Sequence, residues 1–284
     1  LREIVRNHEP GGMLAYGQDD DLRFYEQHGY VPNAAGLTIQ WSFEDWALAE
    51  MASRLQRRDI AQRYYRRSAG WKASFNRQLG LVLPRTREGG WLHTDPMDSW
   101  GYEEANAWQA TFGLSHDIKG LAELMGGNDS LCSRLDLAFR QSAKDDFVSG
   151  YGNGYVNYSN QPGLSNAHVF AHAGRPDLTQ YWVRRVRRQT YGGVTPDKGY
   201  GGNDEDQGQM SSLSALMSIG LFAIDGSPEF ISAMFTIIPI ALATMMEHVG
   251  DIAAISATVG HNYINDPGLN RTLMGDGLAT AMAG

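Results

Sequence analysis

Stripes of apolar residues at helical spacing, interrupted by two long glycine-rich loops, constrain the fold of this chain more than any other feature. One such stripe consists of Trp46, Leu48, Met51, Ala52 and Leu55. The loops cover residues 148–163 and 192–208, and long loops within a helical domain usually carry function. Paired helices that alternate with such loops predict a mainly α fold that forms part of an (α/α)6 toroid. A plain helical bundle is the alternative, and short β segments are expected near the C-terminus.

Further stripes and helix-breaking residues place the other predicted helices and the domain boundary. Helices are expected after Asp59, near Glu103, from Asp117 to the Gly126-Gly127 pair, along Leu131, Leu135, Ala138 and Phe139, and over residues 165–173, 177–190 and 209–223. Residues 1–230 are therefore assigned to one helical domain. Residues 231–284 mix apolar runs with Gly and Asn without clean periodicity, and this C-terminal segment is only poorly assigned.

Composition and charge exclude several classes of protein. With 42% hydrophobic residues, the 284-residue chain can bury a sizeable core, so general disorder is excluded. A single cysteine excludes a disulfide scaffold and a metal site built from several thiolates. A net charge of −8 offers no basic surface, so no nucleic-acid partner is expected. The longest apolar run, Phe235 to Met246, is interrupted by Pro239, so no membrane span is expected.

Three segments hold side chains that can carry chemistry, and the first is residues 101–109. Glu104 lies there at the predicted start of a helix, close to Trp108. A carboxyl group beside a tryptophan is partly desolvated, which raises its pKa and suits a general acid. The ordinary alternative is a glutamate that interacts with the helix dipole in the first turn.

The second segment, residues 200–210, places Asp204, Glu205 and Asp206 directly before a predicted helix. In an extended loop the two aspartates point the same way, and the helix N-terminus stabilises both as anions. This arrangement favours a general base or a cation site. Alternatively, Asp206 simply caps the helix and its neighbours are solvated.

The third segment, residues 157–162, brings the side-chain amides of Asn160 and Gln161 into a loop. Amide and carbonyl oxygens in a loop can bind a hard cation such as Ca²⁺. Turn formation by Asn and Pro is the alternative.

Several segments, in order along the chain, resemble the motifs of glycoside hydrolase family 92, the calcium-dependent exo-acting α-mannosidases. They are residues 25–32 (YEQHGYVP), 43–47 (FEDWA), 104–109 (EANAWQ), 116–121 (HDIKGL), 124–127 (LMGG), 160–162 (NQP) and 204–210 (DEDQGQM). The resemblance runs from about residue 11 to residue 225. Each motif is weak alone, but together they are specific.

The resemblance implies the removal of terminal α-linked mannose from a glycan by a calcium-dependent, inverting mechanism. Glu104 would be the general acid on the leaving oxygen, and Asp206 the general base on water, with Asp204 as its partner or alternative. Asn160 and Gln161 would hold the implied cofactor, Ca²⁺. The residues implied for the sugar site are Trp100, Tyr102, Trp108, Gln109 and Tyr158, although any of the aromatic ones can equally be core.

The chain also departs from the family pattern. Tyr158 and Ser159 stand where α-1,2-specific members are expected to carry a His-Glu pair, which makes an α-1,2 preference doubtful. Family members are far longer and place the active site between the toroid and an N-terminal β-sandwich, which is expected to be missing from this chain. A non-catalytic glycan-binding or scaffold fragment of the same lineage is therefore an alternative function. A different toroidal carbohydrate enzyme is a third.

The start of the chain and the family resemblance bear on the cellular location of the protein. The chain begins at Leu1, without an initiator methionine or a signal peptide, and is interpreted as a fragment or a processed product. Family resemblance implies a secreted or periplasmic location.

Overall fold

The computed structural model describes residues 1–193, 195, 208–220, 250 and 252–268. The chain divides into two compact units, Leu1–Asp225 and Gly226–Gly284. Helices dominate the described part of the first unit, which confirms the predicted mainly α fold. They are α1 (Arg2–Asn7), α2 (Asp19–His28), α3 (Ala35–Arg54), α4 (Arg58–Ser68), α5 (Ala107–Phe112), α6 (Ile118–Met125), α7 (Asn128–Ser142), α8 (Asn166–His172), α9 (Pro176–Gln189) and α10 (Gln209–Ile219).

Local signals set several helix ends. Asp117 caps α6, because its Oδ1 accepts a hydrogen bond from the Gly120 backbone N–H at 2.9 Å. The helix ends at Gly126, whose φ of +96° is available to glycine at little steric cost. Helices α8 and α9 lie close to their predicted limits. Most of the predicted loop 192–208 and the predicted end of α10 at Ala223 lie outside the described residues.

Two short strands, β1 (Phe75–Asn76) and β2 (Leu81–Val82), pair antiparallel in the first unit. The hairpin turns at Asn76, whose side-chain oxygen accepts hydrogen bonds from the backbone N–H groups of Gln78 and Leu79, both at 3.0 Å. The sequence places β segments near the C-terminus instead. In the described part of the chain the strands lie where this asparagine turn forms.

The largest core packs α7, α8 and α9 around aromatic rings. The ring of Phe139 lies 5.1 Å from that of Trp182 and 5.7 Å from that of Phe170. All four residues of the predicted stripe are buried here, namely Leu131, Leu135, Ala138 and Phe139. Full burial of one large apolar side chain contributes about 1.5–3 kcal/mol, so this stripe stabilises the packing of α7.

A charged cluster ties the first four helices together. Asp45 on α3 is fully buried, and its carboxylate accepts two hydrogen bonds of 2.6 Å from the Arg67 guanidinium on α4. Tyr25 on α2 donates to the same carboxylate at 3.1 Å, and Nδ1 of His8 lies 3.1 Å from it. We refer to these four residues as the Asp45 cluster.

The second unit is described at residues 250 and 252–268. Residues 252–259 form a helix, and a π-helical turn follows at Ile264–Gly268. Ile255 and Val259 on the helix are exposed. Across the described residues of the whole chain, no helix combines the length and the apolar character that crossing a membrane requires.

Candidate active site

Helix α5 begins later than the sequence predicts, and this changes the setting of Glu104. The N-cap is Asn106, whose side-chain oxygen accepts from the backbone N–H groups of Trp108 at 3.0 Å and Gln109 at 3.3 Å. Glu104 therefore lies two residues before the cap, not in the first turn of the helix. The expected support from the helix dipole does not apply at this position.

The backbone of Glu104 has a left-handed conformation, with φ of +51°. Non-glycine residues adopt this conformation at a cost and keep it where the surroundings enforce it. The Glu104 carbonyl accepts a hydrogen bond from the Gly152 backbone N–H and another from Nδ2 of Asn160, both at 3.2 Å. The side chain itself is exposed. Glu104 is thus held by its backbone while its carboxyl group faces solvent.

Buried side-chain amides join this segment to the glycine-rich loop. Nδ2 of Asn106 donates to the carbonyls of Gly152 at 3.0 Å and Gly154 at 2.8 Å. Nε2 of Gln109 donates to the carbonyl of Asn153 at 2.5 Å. We refer to Asn106, Gln109 and Asn160 as the amide clamp. Asn106 and Gln109 donate to carbonyls of the loop, and Asn160, itself in the loop, donates to the Glu104 carbonyl. The clamp therefore links the two segments in both directions.

Gly152 shows how closely the two segments approach. A Cβ atom built on this residue would lie 2.7 Å from Cβ of Ser99 and 3.2 Å from the carbonyl oxygen of Ala105. Its φ of +72° is also one that glycine adopts readily. Only glycine therefore fits at this point of contact.

Trp108 lies in the core and does not shield Glu104. Its ring packs against Tyr155, with 5.0 Å between ring centres, and against Phe112. The Arg134 guanidinium lies 5.2 Å from the ring centre. The desolvation of Glu104 expected from the nearby tryptophan is therefore absent in this structure, in which Glu104 is exposed.

Three other residues assigned to the sugar site have structural partners instead. The Tyr102 hydroxyl donates to the Val82 carbonyl at 2.7 Å, and burial, with a smaller contribution from Asp98, raises its pKa. Tyr158 is fully buried, its hydroxyl accepts from the Ala167 backbone N–H, and burial raises its pKa. Gln109 belongs to the amide clamp. Tyr158 and Gln109 are thus core positions, whereas Tyr102, although nearly buried, also lines a groove beside Trp100.

Trp100, in contrast, is 70% exposed. Its backbone N–H donates to Oδ1 of Asp98 at 2.8 Å, and its carbonyl accepts from Nε2 of His93 at 2.9 Å. The ring borders a groove of about 510 Å³, a size typical of small-molecule sites. The groove is lined by apolar side chains and by polar ones, including Val31, Pro32, Leu37, Gln18, Asp21 and Asn33.

Of the two predicted metal ligands, Asn160 and Gln161, it is Asn160 that contacts Glu104. Asn160 is buried, and its side-chain nitrogen donates to the Glu104 carbonyl, so its side-chain oxygen is the atom that suits a cation. Gln161, half-buried, begins the 3-10 turn Gln161–Gly163. No group of three or more His, Cys, Asp or Glu side chains that could hold a metal ion occurs among the described residues. Asp204 and Asp206 lie outside them.

The structure adds two features that the sequence interpretation missed. Asn106 was part of a quoted motif without a role, and it proves to be both a helix cap and a donor to the facing loop. An asparagine directly before an apolar helical stripe is a recognisable cap signal. The bond from Asn160 to Glu104 joins residues 56 positions apart, and no local pattern indicates it.

Two curated proteins are similar to different lengths of the chain. An uncharacterized secreted glycosidase from Arthroderma benhamiae is 23% identical over 248 residues, covering 76% of this chain and 30% of the glycosidase. A probable uracil permease from Haemophilus influenzae is 52% identical over 58 residues, covering 20% of this chain and 14% of the permease. The chain thus spans less than a third of either relative.

Solved structures show the same fold. An inverting mannosidase of family GH92 from Bacteroides thetaiotaomicron superimposes with a TM-score of 0.62 and 27% sequence identity, covering 72% of this chain and 30% of that chain. The sequence model of the glycosyl hydrolase family 92 catalytic domain matches residues 1–278. Because this match extends over nearly the whole chain, the protein belongs to glycosyl hydrolase family 92.

Proposed function

We propose that this chain is part of the catalytic region of a mannosidase that removes terminal α-linked mannose with inversion. The observation that carries the proposal is the family match over residues 1–278. The likeness to a GH92 structure described as an inverting mannosidase supports the sugar and the stereochemistry. The chain spans 30% of that structure, so the activity belongs to the proposal and not to the comparison.

Glu104 is the general acid in this mechanism. Its carboxyl group is exposed beside the glycine-rich loop, where a glycosidic oxygen can reach it, and its backbone is fixed by two hydrogen bonds. A fixed backbone limits the region that the carboxyl group can reach, and proton transfer requires the acid within reach of the leaving oxygen. Asp206 is the general base on water, with Asp204 as its partner. An inverting pair of carboxyl groups stands about 6.5–9.5 Å apart, leaving room for that water.

Calcium is the proposed cofactor. Ca²⁺ prefers six to eight oxygen ligands, and the side-chain oxygens of Asn160 and Gln161 have the right chemistry but supply only two. Asp204 and Asp206 are carboxylates of the same ligand class. When bound, the ion would orient the mannose hydroxyls and support the activation of water.

The exposed ring of Trp100 is the proposed stacking surface for a sugar ring. Its groove combines apolar walls with polar groups, which matches the apolar faces and hydroxyl edges of a carbohydrate. Tyr158 is excluded from this role by its burial. Since Tyr158 and Ser159 replace the expected His-Glu pair, a linkage other than α-1,2 is proposed.

The first test is mannose release from a panel of α-linked mannobioses, with and without a calcium chelator. Release that the chelator abolishes supports the proposal, and NMR of the first-formed anomer reports inversion directly. Release that is indifferent to chelator rejects the calcium role. An absence of release from every linkage, with binding of mannosides retained, favours the non-catalytic glycan-binding alternative, which the short span of the chain also supports.

The acid is tested with Glu104→Gln and a matched control, Glu103→Gln. Both glutamates are exposed and adjacent, so replacing either one by glutamine should affect folding equally. We expect Glu104→Gln to lower kcat on mannobiose by about 10²–10⁴, the usual contribution of general acid catalysis, and Glu103→Gln to leave it within about twofold. Equal rates in the two variants would remove Glu104 from the mechanism.

A separate proposal concerns the second unit, Gly226–Gly284. Its 59 residues match the length of the permease similarity, while the glycosidase relative covers 76% of the chain. We propose that this unit shares ancestry with the permeases and is not required for mannoside hydrolysis. The family match, however, extends to residue 278. A chain ending at Asp225 tests the requirement: unchanged folding and turnover show that the unit is dispensable for hydrolysis, and loss of either assigns the unit to the hydrolase.

Secretion is proposed from the secreted relative alone. Fractionation of cells that produce the full-length protein tests it, because the protein should be recovered outside the cytoplasm.

A further inference from the structure

The side chain of Asn160 contacts the backbone carbonyl of Glu104. Nδ2 of Asn160 donates to the Glu104 carbonyl at 3.2 Å, and the Gly152 backbone N–H donates to the same oxygen at the same distance. Both donors belong to the glycine-rich loop. Two residues of the loop, eight positions apart in sequence, therefore donate to the same carbonyl.

Glu104 needs such a restraint because of its conformation. A φ of +51° is unfavourable for a side chain with a Cβ atom, so an unrestrained backbone would relax toward negative φ. Rotation about the backbone of Glu104 would redirect its side chain, because the Cα–Cβ bond turns with the backbone. The segment following Glu104 is already fixed by the cap at Asn106, so the carbonyl is the point where restraint acts.

The environment of Asn160 favours a directional bond over a loose contact. The side chain is buried, with 3% exposure, so water competes little for its amide nitrogen. A buried donor that loses its acceptor is costly, and this makes the bond to Glu104 persistent.

We propose that Asn160 is a positioning residue for the general acid: its amide nitrogen holds Glu104 in the left-handed conformation and thereby aims the carboxyl group. The inference about the backbone stands on the structure, whereas its consequence for turnover rests on the proposed function. It concerns only the nitrogen of Asn160 and is independent of metal binding by the oxygen.

The test compares Asn160→Asp with Asn157→Asp. Each variant replaces one buried amide nitrogen by oxygen in the same loop and keeps the shape of the side chain. Asn157, at 1% exposure, donates to the Ser149 carbonyl at 3.1 Å, within its own loop. Asn157→Asp is thus a control for a lost buried donor and an added carboxyl group, without a direct effect on Glu104.

The first readout does not need activity. In the full chain, the Cα and Cβ chemical shifts of Glu104 report its backbone conformation. We expect Asn160→Asp to move them away from left-handed values and Asn157→Asp to leave them unchanged. Shifts that stay left-handed in Asn160→Asp would overturn the proposal.

The second readout is the dependence on leaving group. A misplaced acid slows a poor leaving group more than one that departs without a proton. We expect Asn160→Asp to lose at least about tenfold more kcat on mannobiose than on a dinitrophenyl α-mannoside, and Asn157→Asp to lose both equally. Equal losses in Asn160→Asp refute the aiming role. A wild-type chain without turnover counts against autonomous catalysis by this chain and not against the positioning, which the chemical shifts then decide on their own.

Discussion

The Asp45 cluster and the amide clamp are both buried polar groups, but one is charged and the other neutral. In the Asp45 cluster, a fully buried carboxylate is paired with a guanidinium and ties helices α1 to α4 together. In the amide clamp, neutral side chains from α5 and the glycine-rich loop hold backbone carbonyls. The charged cluster fixes helices, whereas the neutral one fixes the loop segments around Glu104.

This difference in charge determines how each region responds when one partner is removed. Removing a partner from a buried ion pair leaves an uncompensated charge, which is strongly destabilising. Removing an amide leaves unsatisfied carbonyls, which cost less. Loss of one partner in the helical region should therefore destabilise the whole fold. In the loop region it should alter the local conformation at a smaller cost in stability.

The largest effect is expected from Arg67→Met. This substitution leaves the Asp45 carboxylate buried without its cation and should lower the free energy of unfolding by about 3–5 kcal/mol. Urea unfolding followed by circular dichroism measures it. The control, Arg140→Met, breaks the surface pair with Asp136 and should leave the stability nearly unchanged, because solvent screens an exposed ion pair. Similar costs for the two variants would contradict the role given to the Asp45 cluster.

The next effect is expected from Asn106→Ala, which removes the cap of α5 and two donors to the glycine-rich loop. We expect a loss of about 2–3 kcal/mol in the free energy of unfolding. Asn106→Asp retains the capping oxygen but turns a buried carboxylate oxygen toward the Gly152 and Gly154 carbonyls, so it should cost at least as much as Asn106→Ala. A stability equal to wild type in Asn106→Ala would show that the clamp contributes nothing.

Acid acts on a third buried group, His168, whereas the side chains of the amide clamp do not titrate. Burial lowers the pKa of His168 on α8 to about 3, with a smaller contribution from His172. The unfolded chain binds this proton near pH 6.5 and the folded chain does not, so stability falls as the pH drops from 6.5 toward 3.

The effect of one such group is about 1.4 kcal/mol for each pH unit in that window. We expect His168→Gln to gain stability relative to the wild type by this amount per unit between pH 6 and pH 5, measured by urea unfolding. Parallel pH profiles for the two proteins would show that His168 is protonated in the folded state.

The smallest effect on stability is expected from Trp100→Ala. Because the side chain is 70% exposed, its removal should change the free energy of unfolding by less than about 0.5 kcal/mol. Binding of a manno-oligosaccharide, followed by calorimetry, should weaken clearly. Trp91→Ala is the control, since that ring is less exposed and stacks on Arg85. Equal weakening by both variants would remove the stacking role of Trp100.

Much of the fold could be predicted because its signals are local. The stripe of Leu131, Leu135 and Phe139 specifies one face of α7, and Asp117 and Gly126 mark the ends of α6. The β hairpin was missed, since its signal is a single asparagine turn at Asn76. Aromatic residues near the site were the least predictable, because Trp100 and Trp108 look equivalent in sequence and differ only in what packs against them.

The sequence by itself determined most of the helices, the ends of α6 and the family motifs, since each depends on residues within a few positions of one another. Tertiary structure decided the rest of the candidate site. It placed Glu104 before α5 in a left-handed backbone, buried Tyr158, exposed Trp100 and brought the nitrogen of Asn160 to the Glu104 carbonyl. These outcomes depend on contacts between segments about fifty residues apart, where burial and hydrogen bonding between loops outweigh local preference.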